Sequence, residues 1–201
     1  MLEFTQDIRE AAIEYNEMGY HICAWPRRFG KYVEKTLIPK WYTYSFPGAS
    51  VTDQMNIGIN HYLSGTCSID IDNLELSRKV FSSIGIDLDK LAYQTMCWQG
   101  RENTYKILYD GKNLSLPYQW LRVNDDTSTV FELRGLKFDT EIVEEGYMDL
   151  LPPSIHPLTK RPYKFLTKLV HKAELPTLPD EIIEVWSNWQ HYLPILTKAL
   201  D

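Results

Sequence analysis

Between Cys67 and Asn73 the chain reads CSIDIDN, apolar and polar residues alternating with period two. That period belongs to a β-strand, on which successive side chains point to opposite faces. Ile69 and Ile71 are expected to face a core, while Asp70 and Asp72 share the other face toward solvent. Carboxylates that close repel one another unless a cation lies between them or one is protonated. Two acids on the solvated face of an edge strand would look the same in sequence, so the pair takes its meaning from its surroundings.

Those surroundings mix helices and strands. Ile8, Ala11, Ala12 and Tyr15 recur at helical spacing within residues 5–18, and Gly19 stops that helix. Strands are predicted at YHICAW, MNIGIN, TCSIDID, YQTMCW, TYKILYD, TVFELRG and GYMDLL, and a helix over 74–84. Residues 182–200 read as a closing helix broken or kinked near Pro194. Without a regular βαβ rhythm, the class is α+β rather than a doubly wound sheet.

A length of 201 residues suits one domain, or one domain with a helical appendage; we expect a domain over 1–179 and a helical extension over 180–201. No stretch approaches the ~20 apolar residues a membrane span needs, and the N-terminus has acids where a signal peptide has basic residues. A cytoplasmic chain without a membrane partner is the expectation. Cys23, Cys67 and Cys97 are odd in number and lack CxxC spacing, so buried thiols are expected rather than zinc ligands or disulfides.

The net charge of −6 conceals two basic runs. One holds Arg27, Arg28, Lys31, Lys35 and Lys40; the other holds Lys160, Arg161, Lys164, Lys168 and Lys172. Each flanks a candidate motif. They are either solvated faces or phosphate-binding surfaces.

Two motifs carry chemistry. Asp70 and Asp72 offer the oxygen ligands that Mg²⁺ and Mn²⁺ prefer, and two such metals can clamp the attacking and leaving oxygens of phosphoryl transfer. PPSIHP, residues 152–157, is a proline-stiffened turn presenting Ser154 and His156, a hydroxyl and an imidazolium suited to phosphate oxygens. Lys160, Arg161 and Lys164 follow and would deepen a positive pocket; read alone, the turn is equally a surface loop. A Ser–His–Asp hydrolase is disfavoured, since GxSxG is absent.

Together IREAAIEYNEMGYHICAWP, KTLIPKW, NIGINHYLSGTCSIDID, WQGRENTYKILY and FELRG leading to LLPPSIHPLTKRPY resemble the bifunctional DNA primase/polymerase (Prim-Pol) domain of the archaeo-eukaryotic primase superfamily. The resemblance covers residues 5–179. It implies a catalytic core with an RRM-like sheet and a smaller α/β unit, and template-dependent nucleotidyl transfer with Mg²⁺ or Mn²⁺. It further implies single-stranded DNA template and primer, dNTP or NTP substrates, and a helicase as a frequent companion in plasmid or phage replication. Asp70 and Asp72 match the metal-binding acids, and Ser154 and His156 the motif that holds the incoming phosphates. Arg101, Lys106 and Arg134 fall in segments that line the nucleotide or template path. The third metal-binding acid is expected at Glu174, with Asp180 as the alternative.

A non-catalytic single-stranded nucleic-acid-binding module with a degenerate metal site is the main rival. A metal-dependent nuclease would leave PPSIHP without a role, and a relaxase would need a His-x-His pair that the five histidines do not form.

Overall fold

Helix α1 (Ile8–Glu17) starts where Asp7 accepts hydrogen bonds from the N–H groups of Arg9 (2.7 Å) and Glu10 (3.3 Å), satisfying donors the first turn leaves open. Its stripe of Ile8, Ala11, Ala12 and Tyr15 is buried. The computed structural model describes residues 7–27, 44–123, 128–135 and 148–201. Arg28, Lys31, Tyr32, Lys35, Lys40 and Trp41 lie outside the described residues, so Arg27 alone represents the first basic run.

Among the described residues the strands form two antiparallel sheets. The smaller one has the order β1 (Ile22–Pro26), β2 (Met55–Asn60), β8 (Met148–Leu150). The larger contains β3 (Thr66–Ile71), β4 (Met96–Gln99), β5 (Tyr105–Asp110), β6 (Gln119–Arg122), β7 (Thr129–Arg134) and β9 (Lys164–Phe165), in the order β6-β7-β3-β5-β4-β9. A one-turn helix α2 (His61–Ser64) joins β2 to β3 and ends at Gly65, whose φ of 62° lies in the left-handed region that glycine tolerates. Helices α3 (Leu74–Ser83) and α4 (Leu88–Tyr93) connect β3 to β4, and β5 inserts between those two strands, giving a split β-α-β unit. The fold is mixed α+β, as the irregular order of elements predicts.

The period-two pattern sorts the larger sheet into two faces. Cys67, Ile69 and Ile71 of β3, Tyr105, Ile107 and Tyr109 of β5, and Phe131 and Leu133 of β7 pack with α3 and α4 into one apolar cluster. On the opposite face, Met96 and Trp98 of β4 and Leu108 of β5 join α1 and the smaller sheet in a second cluster. Trp98 Nε1 donates to the Leu150 carbonyl (2.6 Å), tying the two sheets together. The rest of that second face, over β3 and β7, is polar.

Two C-terminal helices, α5 (Asp180–Ser187) and α6 (Trp189–Lys198), complete the first cluster with Ile182, Val185, Trp186, Trp189 and Leu196. The expected break at Pro194 is displaced. It falls at Asn188, whose backbone leaves the helical region (φ −105°, ψ 35°), while Pro194 sits inside α6. Pro194 removes one donor from α6, but the change of direction is made where Trp186 and Trp189 must both reach the core. Helix α4 and strand β6 are elements that the sequence pattern did not announce. The thiols are buried at Cys67 and Cys97 and half-buried at Cys23, as expected. Among the described residues no helix is long and apolar enough to cross a membrane.

Candidate active site

Strand β3 places Asp70 between two partners in register: Lys106 on β5 and Glu132 on β7. Residues directly opposite on neighbouring strands share a face, so Asp70, Lys106 and Glu132 project together from the polar side. Ser68, two residues earlier, lies opposite Arg134 and shares that side. Asp72 follows the last residue of β3, its N–H held by the Val130 carbonyl (3.0 Å), and Asn73 caps α3 by accepting from the Leu76 N–H. The strand therefore ends at the acid, and its backbone turns away into a helix.

Asp70 is only 4% exposed, against the expectation of a solvent-facing carboxylate. Burying a charge is costly without a partner, and here two cations supply one. Lys106 Nζ lies 2.6 Å from Asp70 Oδ1, and Arg134 Nη2 lies 2.5 Å from Oδ2. Both cations also bind Asp149 of β8, which is fully buried: Lys106 at 2.7 Å, and Arg134 through Nη1. Asp149 accepts from the Ser68 hydroxyl as well (2.6 Å) and contacts His61 Nε2 (3.0 Å). Arg134 also binds Glu132 Oε2 through Nη2 (2.5 Å) and Nε (2.8 Å).

The charges order the titrations. Burial alone would raise the Asp149 carboxyl, but the Arg134 guanidinium and Lys106 ammonium outweigh it and hold the group well below the carboxylate range. Burial would lower Lys106, yet Asp149 and Asp70 keep it raised and charged. Asp72 moves the other way. Burial, then the negative charge of Asp70 and of Glu132, raise its carboxyl despite the opposing Lys106 and Arg134. Its nearest cation is Arg101, with Nη2 at 3.5 Å from Oδ1 and at 3.3 Å from the Asp72 carbonyl.

PPSIHP meets this face from the side. Ser154 is fully buried, and its hydroxyl both accepts from the Ile57 N–H (2.8 Å) and donates to the Ile57 carbonyl (2.8 Å). Asn56 brackets Ile155 in the same way, at 2.9 and 3.1 Å. The expectation that Ser154 touches phosphate is thereby corrected: its hydroxyl is committed to β2, and it positions the turn. His156 Nδ1 accepts from the N–H groups of Leu158 (3.3 Å) and Thr159 (3.2 Å). Those two contacts fit the tautomer that carries its ring proton on Nε2 and leaves Nδ1 to accept. Its ring centroid lies 5.4 Å from that of Tyr163. Gly100 is needed here, because a Cβ would sit 2.3 Å from Tyr163 Cε1 and 2.7 Å from His156 Cδ2.

These elements enclose a cleft of about 420 Å³. Asp70, Asp72, Arg101, Lys106 and His156 all line it, together with Glu132 and Tyr163. Arg134 lies behind it, gripping Asp70 and Glu132. Burial raises the Tyr163 hydroxyl to about 12, so it remains a donor at neutral pH.

Glu174 is not among the lining residues. It stands exposed on the 3₁₀ turn Lys172–Glu174, which Lys172 pins to Asp110 (2.9 Å) at the far end of β5. Asp110 is four residues from Lys106, about 13 Å along an extended strand. The acid in the cleft is Glu132 instead. The signal for it was present in FELRG, where Glu132 and Arg134 alternate with Leu133 as Asp70 alternates with Ile69.

Around the cleft, four carboxylates (Asp70, Asp72, Glu132, Asp149) share the buried Lys106 and Arg134 and the exposed Arg101. The surplus is negative and lies toward Asp72. The oxygen donors of Asp70, Asp72 and Glu132 therefore fit a hard divalent cation in chemistry and charge. Among the described residues no three His, Cys, Asp or Glu side chains converge into a ready-made metal cage, and Lys106 and Arg134 hold the oxygens of Asp70.

No curated protein matches the chain. The model of the family described as bifunctional DNA primase/polymerase, N-terminal (Prim-Pol), matches residues 17–181, a span that includes both β-sheets, the three cleft acids and PPSIHP. Enzymes of this family are primase/polymerase-type nucleotidyltransferases that generally use divalent metals and act on nucleotides and nucleic acid. With a match over most of its length, this chain belongs to the Prim-Pol family.

Proposed function

We propose that this domain is a template-dependent nucleotidyltransferase, a DNA primase/polymerase that adds dNTPs or NTPs to a strand paired with a single-stranded template. In that reaction a 3′-hydroxyl oxygen attacks the α-phosphorus of the incoming nucleotide. The bond to pyrophosphate breaks, and the hydroxyl proton is lost to water or a base.

One observation carries the reading: Asp70, Asp72 and Glu132 meet on one cleft with Arg101, His156 and Tyr163. Asp70, Asp72 and Glu132 would hold the metal. Mg²⁺ or Mn²⁺ bound there supplies charge neutralisation at the attacking and leaving oxygens. Lys106, Arg134 and Asp149 fix Asp70 from beneath, so its oxygens need little reorganisation when substrate arrives. Arg101 is positioned to pair with triphosphate oxygens once drawn from Asp72, and His156 and Tyr163 are donors beside it. Ser154 acts on this site through the turn it anchors. The split β-α-β sheet supports the expected primase-type core, and replication of a plasmid, phage or other mobile element, with a helicase as companion, is the proposed setting.

A second reading has an observation of its own. Lys106 and Arg134 already neutralise Asp70, as in a site that binds nucleic acid without metal chemistry. Incubation with a single-stranded template, labelled dNTPs or NTPs and Mg²⁺ or Mn²⁺, with and without primer, separates the two. Incorporation that disappears with the metal supports the enzyme. Strand binding without incorporation in either metal supports the binding module.

A further inference from the structure

Strand β6 is an edge of the larger sheet, and its residues alternate in character. Leu121 enters the apolar cluster. Trp120 faces the other way, directly opposite Glu132 on β7, and is 44% exposed. An indole is seldom left this open, since burying it is strongly favourable. Tyr118 and Arg122 flank it at the period-two positions. The Tyr118 ring stacks on it at 5.4 Å with 29° between planes, and the Arg122 guanidinium lies 5.5 Å from its centroid. Arg122 is paired in register with Thr129, which lines the cleft as Glu132 does. The ladder is thus the next strand over from the cleft, about 5 Å away on the same face.

We propose that Tyr118, Trp120 and Arg122 form a stacking platform for single-stranded nucleic acid entering the cleft. This rests on the nucleotidyl-transfer reading only for where the strand leads; the binding itself needs neither metal nor nucleotide. An exposed indole backed by a half-buried phenol ring and flanked by an exposed guanidinium matches a ligand that alternates π faces with phosphates. A duplex hides those faces, and the acidic cleft alone would repel a strand. A base seated on Trp120 displaces the Arg122 guanidinium, which then pairs with the adjoining phosphate. The exchange is favourable. An exposed cation–π contact is worth about 2- to 5-fold in affinity, against about 5- to 150-fold for base stacking on an aromatic ring.

The test is fluorescence anisotropy of a labelled single strand of about 15 nucleotides, as DNA and as RNA, across a salt series without metal or nucleotide. Trp120→Ala should bind about tenfold more weakly with an unchanged salt slope, and Trp120→Phe should recover part of the loss. Arg122→Ala should reduce the log–log slope by roughly 0.7, one phosphate contact. An oligonucleotide with abasic sugars should cost the wild type as much as Trp120→Ala does, and cost that variant little more. Circular dichroism establishes that each variant is folded, as the exposure of Trp120 predicts. Wild-type affinity in Trp120→Ala, equal affinity for a blunt duplex, or indifference to abasic sugars overturns the platform. None of those outcomes touches nucleotide incorporation, which tests the enzyme separately.

Discussion

The two faces of β3 are one residue apart in sequence and opposite in physics. Toward the helices, Ile69 and Ile71 are fully buried among Phe131, Ile107 and Leu133, and their contribution is packing. Toward the cleft, Asp70 is nearly as buried, yet what surrounds it is Lys106, Arg134 and, through them, Asp149. Burial has a different consequence on each side. The apolar face tolerates a change of shape at modest cost, because dispersion is lost gradually. The polar face tolerates little, because removing one charge leaves its partner buried and uncompensated.

The largest expected effect lies on the polar face. Asp149→Ala, which removes a carboxylate serving two buried cations, should lower unfolding free energy by about 3–5 kcal/mol; urea denaturation checks it. Next, Ser154→Ala should cost about 1–3 kcal/mol by leaving the buried Ile57 N–H unsatisfied, while the Ile57 carbonyl keeps the Leu151 N–H (3.0 Å). Its incorporation rate should fall even where it is fully folded, since His156 loses its anchor. On the apolar face, Ile69→Val should cost only about 0.5–1.5 kcal/mol and leave the rate unchanged. An Ile69→Val loss as large as that of Asp149→Ala would mean that the two faces respond alike to a lost group.

The smallest effect concerns pH. Asp72 has a raised carboxyl in the folded protein, so between its ordinary and raised values the native state binds more protons than the unfolded chain. Its contribution then reduces stability as pH rises through that window and restores it as pH falls. Asp72→Asn, which mimics the protonated group, should flatten this part of the stability–pH curve. An unchanged curve would mean that burial and the charges of Asp70 and Glu132 do not raise the Asp72 carboxyl.

Much of this was legible in the sequence. Period two in SIDID gave the two faces, and MNIGIN and helix 74–84 match the structure closely, because each is a clean local pattern with a cap or turn at its end. What escaped was pairing. Nothing local to Asp70 announces that Lys106, 36 positions on, and Arg134, 64 positions on, take up its charge. The same limit put the expected third acid at Glu174, away from the cleft that Glu132 lines, since a motif-like spacing carries no strand register. Ser154 reads as an exposed phosphate ligand for a similar reason: its partner Ile57 is 97 positions away. Strand β6 was missed because YQWLR is short and its outward residues are aromatic.

Whether metal-dependent nucleotidyl transfer occurs on the Asp70–Asp72–Glu132 face is decided by comparing Glu132→Gln with Glu174→Gln. Each removes one charge and little volume, and in the first the new amide oxygen still accepts from Arg134. Primer extension in Mg²⁺ and in Mn²⁺ is the measurement, with single-strand binding as control. Glu132→Gln should lose at least about 100-fold in rate, as expected for several kcal/mol of lost charge stabilisation, with strand binding retained and Glu174→Gln unaffected. A wild-type rate in Glu132→Gln, or a comparable loss in Glu174→Gln, would contradict this assignment.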